Sequence, residues 1–275
     1  MATIAAPLPE RERRPDVLSG TPRAGFIDRW IYVFMAAWFI AIVLTGFIPD
    51  SITKVAAVQS GARPPFPLPL HLHAVLMGSF LLLLLAQTSL VATGRGALHR
   101  QLGLVAMVLV PAMVIVGVIL IPTMYYQTWD AAQKASGAAL AQLQQRLLVR
   151  DNVMLLQIRN GLLFPLFIFI GLRARQVDAG LHKRMMILAT AGPLEASFAR
   201  MEWVPNTFPA SPMAMDVYVL VLAVLPMFAW DVVRNRSVHR AYSVWLPIYV
   251  AASLVVNLAW DKPWWHTTAR HIMGV

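Results

Sequence analysis

The sequence contains no cysteine, and this absence excludes several kinds of site at once. Disulfides, iron–sulfur clusters, thiolate-ligated haem and covalent c-type haem attachment all need cysteine side chains. Charged residues are also scarce, at 13% of the 275 residues, whereas soluble domains carry about 25%. Because 58% of the residues are hydrophobic, we expect most of the protein surface to face lipid.

Acidic residues are few as well: 13 Asp and Glu stand against 23 Lys and Arg, giving a formal net charge of +10. A strongly basic chain can indicate a nucleic-acid partner. Here the basic residues fall mostly in short segments between apolar runs, which is typical of membrane topology, so we expect no nucleic acid. The sequence also lacks a Walker loop, a His-Glu-x-x-His motif and a Gly-x-Ser-x-Gly motif.

Apolar runs dominate the chain, and a membrane-spanning helix needs roughly 20 such residues. They predict an all-α fold: an integral membrane bundle of about seven transmembrane helices over 30–260. A barrel is not expected, because the runs lack the alternating polarity of barrel strands. The first 29 residues are predicted to form a disordered basic cytoplasmic tail and 261–275 an outer tail. The predicted spans are 30–48, 70–92, 103–122, 152–172, 185–203, 215–233 and 243–260.

The distribution of Lys and Arg predicts the orientation of this bundle. With the amino terminus inside, the cytoplasmic side carries roughly twice as many basic residues as the outer side. We therefore predict a multi-pass protein of the bacterial inner (cytoplasmic) membrane, with its carboxyl terminus outside and the lipid bilayer around it. In the outer loops, 49–69 is Pro-rich and predicted to be extended. The segment 131–149 has leucines at helical spacing and is interpreted as an amphipathic surface helix.

Histidines recur beside basic residues at the predicted cytoplasmic ends of three spans: His99-Arg100, His182-Lys183 and His239-Arg240. Basic residues belong at such ends for topological reasons alone. Two functional interpretations stay open, namely an anion site at the helix amino termini, or a metal centre held by His99 and His182 from two helices at one depth.

Two further histidines open the second span at its outer end. His71 and His73 are two residues apart, about 200° on a helix, so only one of them can face the bundle.

Polar side chains also lie within the spans: Arg159 and Asn160 in the fourth, and Glu195 and Arg200 in the fifth. Arg159 lies about 12 Å from the outer end of its span and Glu195 about 15 Å from the inner end of its own. In a core about 30 Å thick these depths nearly coincide, so we expect the two side chains to approach each other. The pair is interpreted either as a structural ion pair or as a ligand, quinone or proton site. Arg200 either joins it or extends towards the outer surface.

These motifs carry a resemblance. The segments His71-Leu-His73, Leu98-His99-Arg100-Gln-Leu-Gly103 and His182-Lys183-Arg184 resemble an uncharacterised family of bacterial multi-span membrane proteins, over roughly 70–203. The His-Arg-x-Leu-Gly motif is also similar to the transmembrane cytochromes b that carry electrons through two bis-histidine haems. That similarity implies haem b, with His99 and His182 as inner ligands and His71 or His73 as an outer one. The outer site lacks a second histidine in a facing span, so a single haem, or none, is expected.

Three functions remain open on the sequence. The first is a haem-b protein of membrane electron transfer, with a quinone as a candidate partner. The second is a non-catalytic accessory subunit that packs on other membrane subunits of a larger complex. The third is a transporter or a lipid- or small-molecule-binding protein that uses the intramembrane level of Arg159 and Glu195.

Overall fold

The structure, a computed structural model, describes residues 16–19 and 23–275, and over these residues the chain is all-α without a strand. Six helical stretches are long and apolar enough to cross a bilayer, which makes this an integral, multi-pass membrane protein. The first four are α1 (Phe26–Gln59), α2 (Leu68–Ala92), α3 (Gly96–Lys134) and α4 (Gly137–Ala174). The other two are the stretch Met213–Asn235 and α9 (Arg240–Ala259).

The predicted tail 1–29 is described only in part. Residues 1–15 and 20–22 lie outside the described residues, while Val17–Ser19 form a 3₁₀ turn and α1 already begins at Phe26. Leu18 of this turn is buried in the main core, and the backbone N–H of Val17 donates to the side chain of Asn235 at 2.9 Å. The described part of the tail therefore packs onto the end of the bundle formed by α8 and the start of α1.

Two segments that were predicted to be outer loops are helical, contrary to expectation. The segment 49–59 continues α1 to Gln59, so the prediction of an extended loop is wrong there. Helix-forming residues and the Asp50–Lys54 ion pair, four residues apart, support this extension. The separate amphipathic helix over 131–149 is also wrong, because α3 runs to Lys134 and α4 begins at Gly137. No Gly or Pro interrupts α4 between 138 and 160, so a single helix propagates from this segment into the span.

The fifth predicted span is a broken helix at the centre of the bundle. The structure divides it into α5 (Ala179–Ala191), a 3₁₀ turn (Gly192–Leu194) and α6 (Glu195–Phe198), so the expected continuous helix 185–203 is wrong. Pro193 has no N–H to donate and its ring disturbs the preceding turn, which explains the break. No residue from 181 to 200 is exposed, and α1, α4 and α9 surround this segment.

The sixth predicted span is irregular as well. It consists of α7 (Met213–Tyr218), a π-helix (Val219–Val224) and α8 (Leu225–Asn235). Pro226 cannot donate to the carbonyl of Leu222, four residues earlier. The indole N–H of Trp38 on α1 donates to that carbonyl instead, at 2.8 Å. A neighbouring helix thus satisfies the backbone group that the proline leaves free.

The outer tail contains a helix that the sequence did not predict, α10 (Pro263–Met273). It packs against the outer part of α4, where the Trp265 indole N–H donates to the Asp151 carbonyl at 2.8 Å. His266 contributes a second contact, between its Nδ1 and the Asp151 carboxylate at 3.0 Å. The core accordingly has two clusters of buried side chains, a large one between α1, α2, α4, α5 and α9 and a smaller one under α10.

Candidate functional site

The structure brings His99 and His182 together at the end of the bundle that carries the amino-terminal segment. His99 lies in the first turn of α3 and His182 in the first turn of α5. Their ring centroids are 6.3 Å apart, with the ring planes at 73°. This is the juxtaposition that equal depth on two odd-numbered spans predicts.

Hydrogen bonding fixes the orientation of His182. Its Nδ1 lies 2.9 Å from the carbonyl oxygen of Gly171 on α4, so that Nδ1 carries the proton and Nε2 keeps its lone pair. Gly171 allows this contact because the helices are very close: a Cβ there would lie 3.1 Å from the Cβ of Met185. Histidines that bind a metal usually have their second ring N–H held in this way, so the hydrogen bond is compatible with ligation through Nε2.

The ring of His99 does not use all of its hydrogen-bonding capacity. Its Nδ1 is buried and has no hydrogen-bond partner within the described part of the chain. The same holds for the side-chain oxygen of Gln87 on α2, whose backbone lies against the His99 ring. Buried polar atoms without partners are rare in proteins, and they mark this α2–α3 contact as a place where a further group would find partners.

The first turn of α5, which carries His182, is held by its N-cap. The Asp178 side chain accepts from the Leu181 N–H at 2.8 Å and pairs with Arg240. Burial acts to raise the pKa of Asp178, but the Leu181 hydrogen bond and the charge of Arg240 outweigh it, and the pKa lies below its usual value. The cap therefore stays ionised at neutral pH and keeps His182 in place.

The outer histidines do not form a comparable pair. His73 faces α3, with its ring carbon 3.7 Å from where a Gly117 Cβ would be, whereas His71 is exposed and meets Phe66 edge-on. The Nδ1 of His73 is buried and has no partner among the described residues. His266 is engaged by Asp151 and Asp261 on the other side of the outer surface.

A second candidate site lies within the membrane, where Arg159 and Glu195 form the ion pair that their depths predict. Asn160 donates to the same carboxylate, at 2.6 Å to Oε1. Arg200 does not join the pair. It contacts the ring of Phe47 at 4.3 Å and the carboxylate of Asp50 at 3.2 Å, towards the outer surface.

Four residues complete this site, and sequence reasoning missed all of them. Arg159 Nη1 donates to the Asp216 carboxylate at 2.8 Å, and Tyr249, Ser253 and Asn257 of α9 donate to the same carboxylate. Asp216 is the second residue of the predicted span 215–233. Charged residues are common at the ends of spans, because these ends lie at the membrane surface. The sequence feature that could have indicated this site is the polar pair Ser253 and Asn257, which are four residues apart and therefore lie on one face of a helix.

A third polar cluster lies at the same end of the bundle as the His99–His182 pair. The guanidinium of Arg184, which is fully buried, is paired by Asp231 on one side, at 2.5 Å, and by Asp16 on the other, at 2.7 Å. A Cβ on Gly180 would lie 2.5 Å from the Asp16 carboxylate, so this close approach needs glycine. Asp16 thus fastens the amino-terminal segment to the bundle.

Across 16–19 and 23–275, no three His, Cys, Asp or Glu side chains converge as a metal site would require. The chain was compared with models of known families, with curated proteins and with solved structures, and it matches none of them.

Proposed function

We propose that the protein binds one b-type haem between His99 and His182 and acts in electron transfer within the membrane. The observation that carries this proposal is the facing pair of imidazoles, 6.3 Å between ring centroids, at the cytoplasmic ends of α3 and α5. The similarity of the His-Arg-x-Leu-Gly segment to bis-histidine cytochromes b points the same way.

The ring separation agrees with shared ligation of one metal. A metal bound at about 2 Å by one nitrogen of each ring would place the two ring centroids roughly 6 Å apart. The observed separation of 6.3 Å is close to that value. His182 Nε2, whose lone pair is free, would supply one ligand atom, and the facing ring of His99 would supply the other.

The number of ligands favours haem over a bare metal ion. Structural and catalytic zinc sites use three or four protein ligands, and the described residues offer only these two histidines. A porphyrin supplies four nitrogens itself, so His99 and His182 would be enough to hold its iron. When bound, haem b would supply one-electron redox chemistry.

The surrounding charge also suits haem, which carries two propionates. Lys183 and Arg100 lie close enough to His99 for their charges to act on it, and Lys183 and Arg175 act likewise on His182. The amino termini of α3 and α5, with their partial positive charge, lie at the same end. The anion site suggested by the sequence therefore becomes part of the haem proposal. A membrane quinone or another redox subunit would exchange the electron.

The test is a reduced-minus-oxidised absorption spectrum of the full chain, purified in mild detergent from cells supplied with haem precursor. We expect a b-type band and about one haem per chain in a pyridine haemochrome assay. His99→Ala and His182→Ala should each abolish or strongly reduce haem content.

His73→Ala is the matched control, because His73 is also partly buried with an unpartnered Nδ1 but faces no second histidine. It should retain the wild-type haem content. A haem-free wild type, or equal haem in all three variants, would refute the proposal.

A further inference from the structure

The intramembrane cluster around Arg159 has more negative than positive charge. One guanidinium faces two carboxylates, those of Glu195 and Asp216, and the three residues are 4%, 2% and 7% exposed. With both carboxyls ionised the cluster would hold one net negative charge in hydrocarbon. Such a charge is costly, and proteins avoid it by pairing the group or by neutralising it.

Among residues 16–19 and 23–275, no second positive charge contacts this cluster. From α4 come Arg159 and Asn160, from α7 Asp216, and from α9 the neutral groups of Tyr249, Ser253 and Asn257.

The ion-paired residues of the neighbouring helices α1 and α5 lie towards the two ends of the bundle and pair there. On α1, Asp28 pairs with Arg234, and Asp50 pairs with Lys54 and Arg200. On α5, Arg184 is held by Asp231 and Asp16. The π-helix Val219–Val224 contains only apolar residues. The excess negative charge is therefore not compensated by any of these neighbours.

Hydrogen bonding distinguishes the two carboxyls. Asp216 accepts four hydrogen bonds, three on Oδ1 and one, from Asn257 at 2.9 Å, on Oδ2. Glu195 accepts only two, one per oxygen, from Arg159 and Asn160. Donors favour the ionised form of a carboxyl, so Asp216 is the carboxylate of the pair. Each carboxyl oxygen of Glu195 accepts one hydrogen bond and keeps a free lone pair. Protonation of Glu195 would therefore disturb fewer hydrogen bonds than protonation of Asp216.

A small cavity lies next to Asn160, the residue that donates to the Glu195 carboxylate. This cavity of about 10 Å³, room for about one water molecule, is lined by Asn160, Gly192 and Tyr249 among mostly apolar side chains. A water molecule there would give a proton a short route to or from the carboxyl.

Both carboxyls also adjoin irregular backbone. The 3₁₀ turn Gly192–Leu194 directly precedes Glu195, and the π-helix Val219–Val224 starts three residues after Asp216. Irregular backbone within a membrane occurs where it is buried in protein or lines a cavity, and π-helices often mark functional sites. Discontinuous helices around a central ion site are a feature of many transporters.

We propose that Glu195 is a proton-binding site: its side chain holds one exchangeable proton that neutralises the Arg159–Glu195–Asp216 cluster, and it exchanges that proton with water through the adjacent cavity. The ligand is the proton itself. The proposal does not depend on haem, because these residues are on α4, α6, α7 and α9 and include neither His99 nor His182.

The test is infrared difference spectroscopy of the intact protein in lipid, between neutral and alkaline pH. We expect a carboxylic-acid C=O band at neutral pH that shifts in ²H₂O and disappears on alkalinisation. Carboxyl-¹³C glutamate should shift this band, whereas carboxyl-¹³C aspartate should leave it unchanged. This labelling uses the wild-type chain, so the result does not rely on a variant that folds.

Two variants complete the test. Glu195→Gln should remove the band, while Asp50→Asn, which changes an outer carboxyl, should keep it. A shift with labelled aspartate, a band that survives in Glu195→Gln, or the absence of any such band would overturn the proposal. Loss of the band on addition of Na⁺ at constant pH and ionic strength would also overturn it, since the site would then belong to a metal cation.

Discussion

Burying an arginine in a membrane protein is energetically unfavourable, and Arg184 shows how ion pairs and hydrogen bonds offset this penalty. Its guanidinium receives bidentate pairing from Asp231, and Asp16 contacts both terminal nitrogens, at 2.7 and 2.9 Å. The Gly180 carbonyl accepts a further bond at 3.1 Å. All three nitrogens are therefore bonded, and the guanidinium joins the amino-terminal segment, α5 and α8.

We predict that Arg184→Leu lowers stability by about 3–5 kcal/mol, because it leaves the buried Asp231 without its counter-charge. The melting temperature in detergent should fall clearly. Arg184→Leu combined with Asp231→Leu should recover part of the loss, since no fully buried charge is then unpaired.

The matched control is Arg240→Ala, which breaks an arginine–aspartate pair at the same membrane face. Arg240 is 55% exposed, so the change should cost no more than about 1 kcal/mol. Equal melting temperatures for Arg184→Leu and Arg240→Ala would contradict this account.

Sequence reasoning found one of the two carboxylates that contact Arg159 and missed the other for a physical reason. Glu195 lies deep within its predicted span, where charged residues are rare. Its depth matches that of Arg159, which predicted the ion pair between them. Asp216 and Asp231 lie within three residues of the ends of the predicted span 215–233, where charges are ordinary. The irregular backbone of that span changes how its residues are placed, and no sequence pattern reported it.

At the level of whole helices, the close approach of α1 to the broken fifth segment depends on one glycine. A Cβ on Gly46 would overlap the backbone carbonyl group of Ser197. Backbone cannot move aside as a side-chain end can, so the two segments would have to separate. This contact holds α6, and with it Glu195, against the long first helix.

We therefore expect Gly46→Ala to destabilise the protein by about 1–3 kcal/mol, the usual cost of forcing extra volume into a packed interior. Thermal unfolding in detergent measures this. Gly78→Ala and Gly161→Ala are matched controls, because both glycines are helical and a Cβ on either has open space. Those two changes should be neutral or stabilising, by no more than roughly 1 kcal/mol. A Gly46→Ala variant as stable as these controls would rule out the tight contact.

The sequence predicted that most of these helices exist but not where they end. Hydrophobicity ceases at the membrane surface, whereas helical hydrogen bonding continues as long as the residues favour it. For that reason α3 and α4 have 39 and 38 residues, well beyond the spans 103–122 and 152–172. Breaks inside a span are equally hard to predict, since prolines occur in both continuous and broken helices here. Pro111 and Pro165 lie within the continuous helices α3 and α4, whereas Pro193 interrupts the fifth segment.

Over the whole molecule, buried charge is unevenly distributed. The buried charged residues of the described chain belong to α1, α4, α5, α6, α7 and α8, and α2 and α3 contribute none. What α2 and α3 contribute instead are partly buried neutral donors and acceptors: His73, Gln87 and His99. The proposed haem ligands thus come from two parts of the bundle: His99 from the α2–α3 pair, which has no buried charge, and His182 from the part that contains the buried charges. The proposed proton site lies wholly within the part that contains the buried charges.

The orientation of the bundle determines which compartment each site faces, and the cysteine-free sequence allows a direct measurement. Single cysteines at exposed positions have no background thiol: Ser60→Cys and Ser136→Cys for the outer side, and Ala97→Cys and Val177→Cys for the cytoplasmic side. With the amino terminus inside, a membrane-impermeant maleimide should label the first two in intact spheroplasts and the second two only after permeabilisation. Labelling of Ser60→Cys and Ala97→Cys from the same compartment would show that α2 does not cross the membrane. Reversal of the two pairs would move the His99–His182 pair to the outer face, where an electron donor would have to reach it from the opposite side.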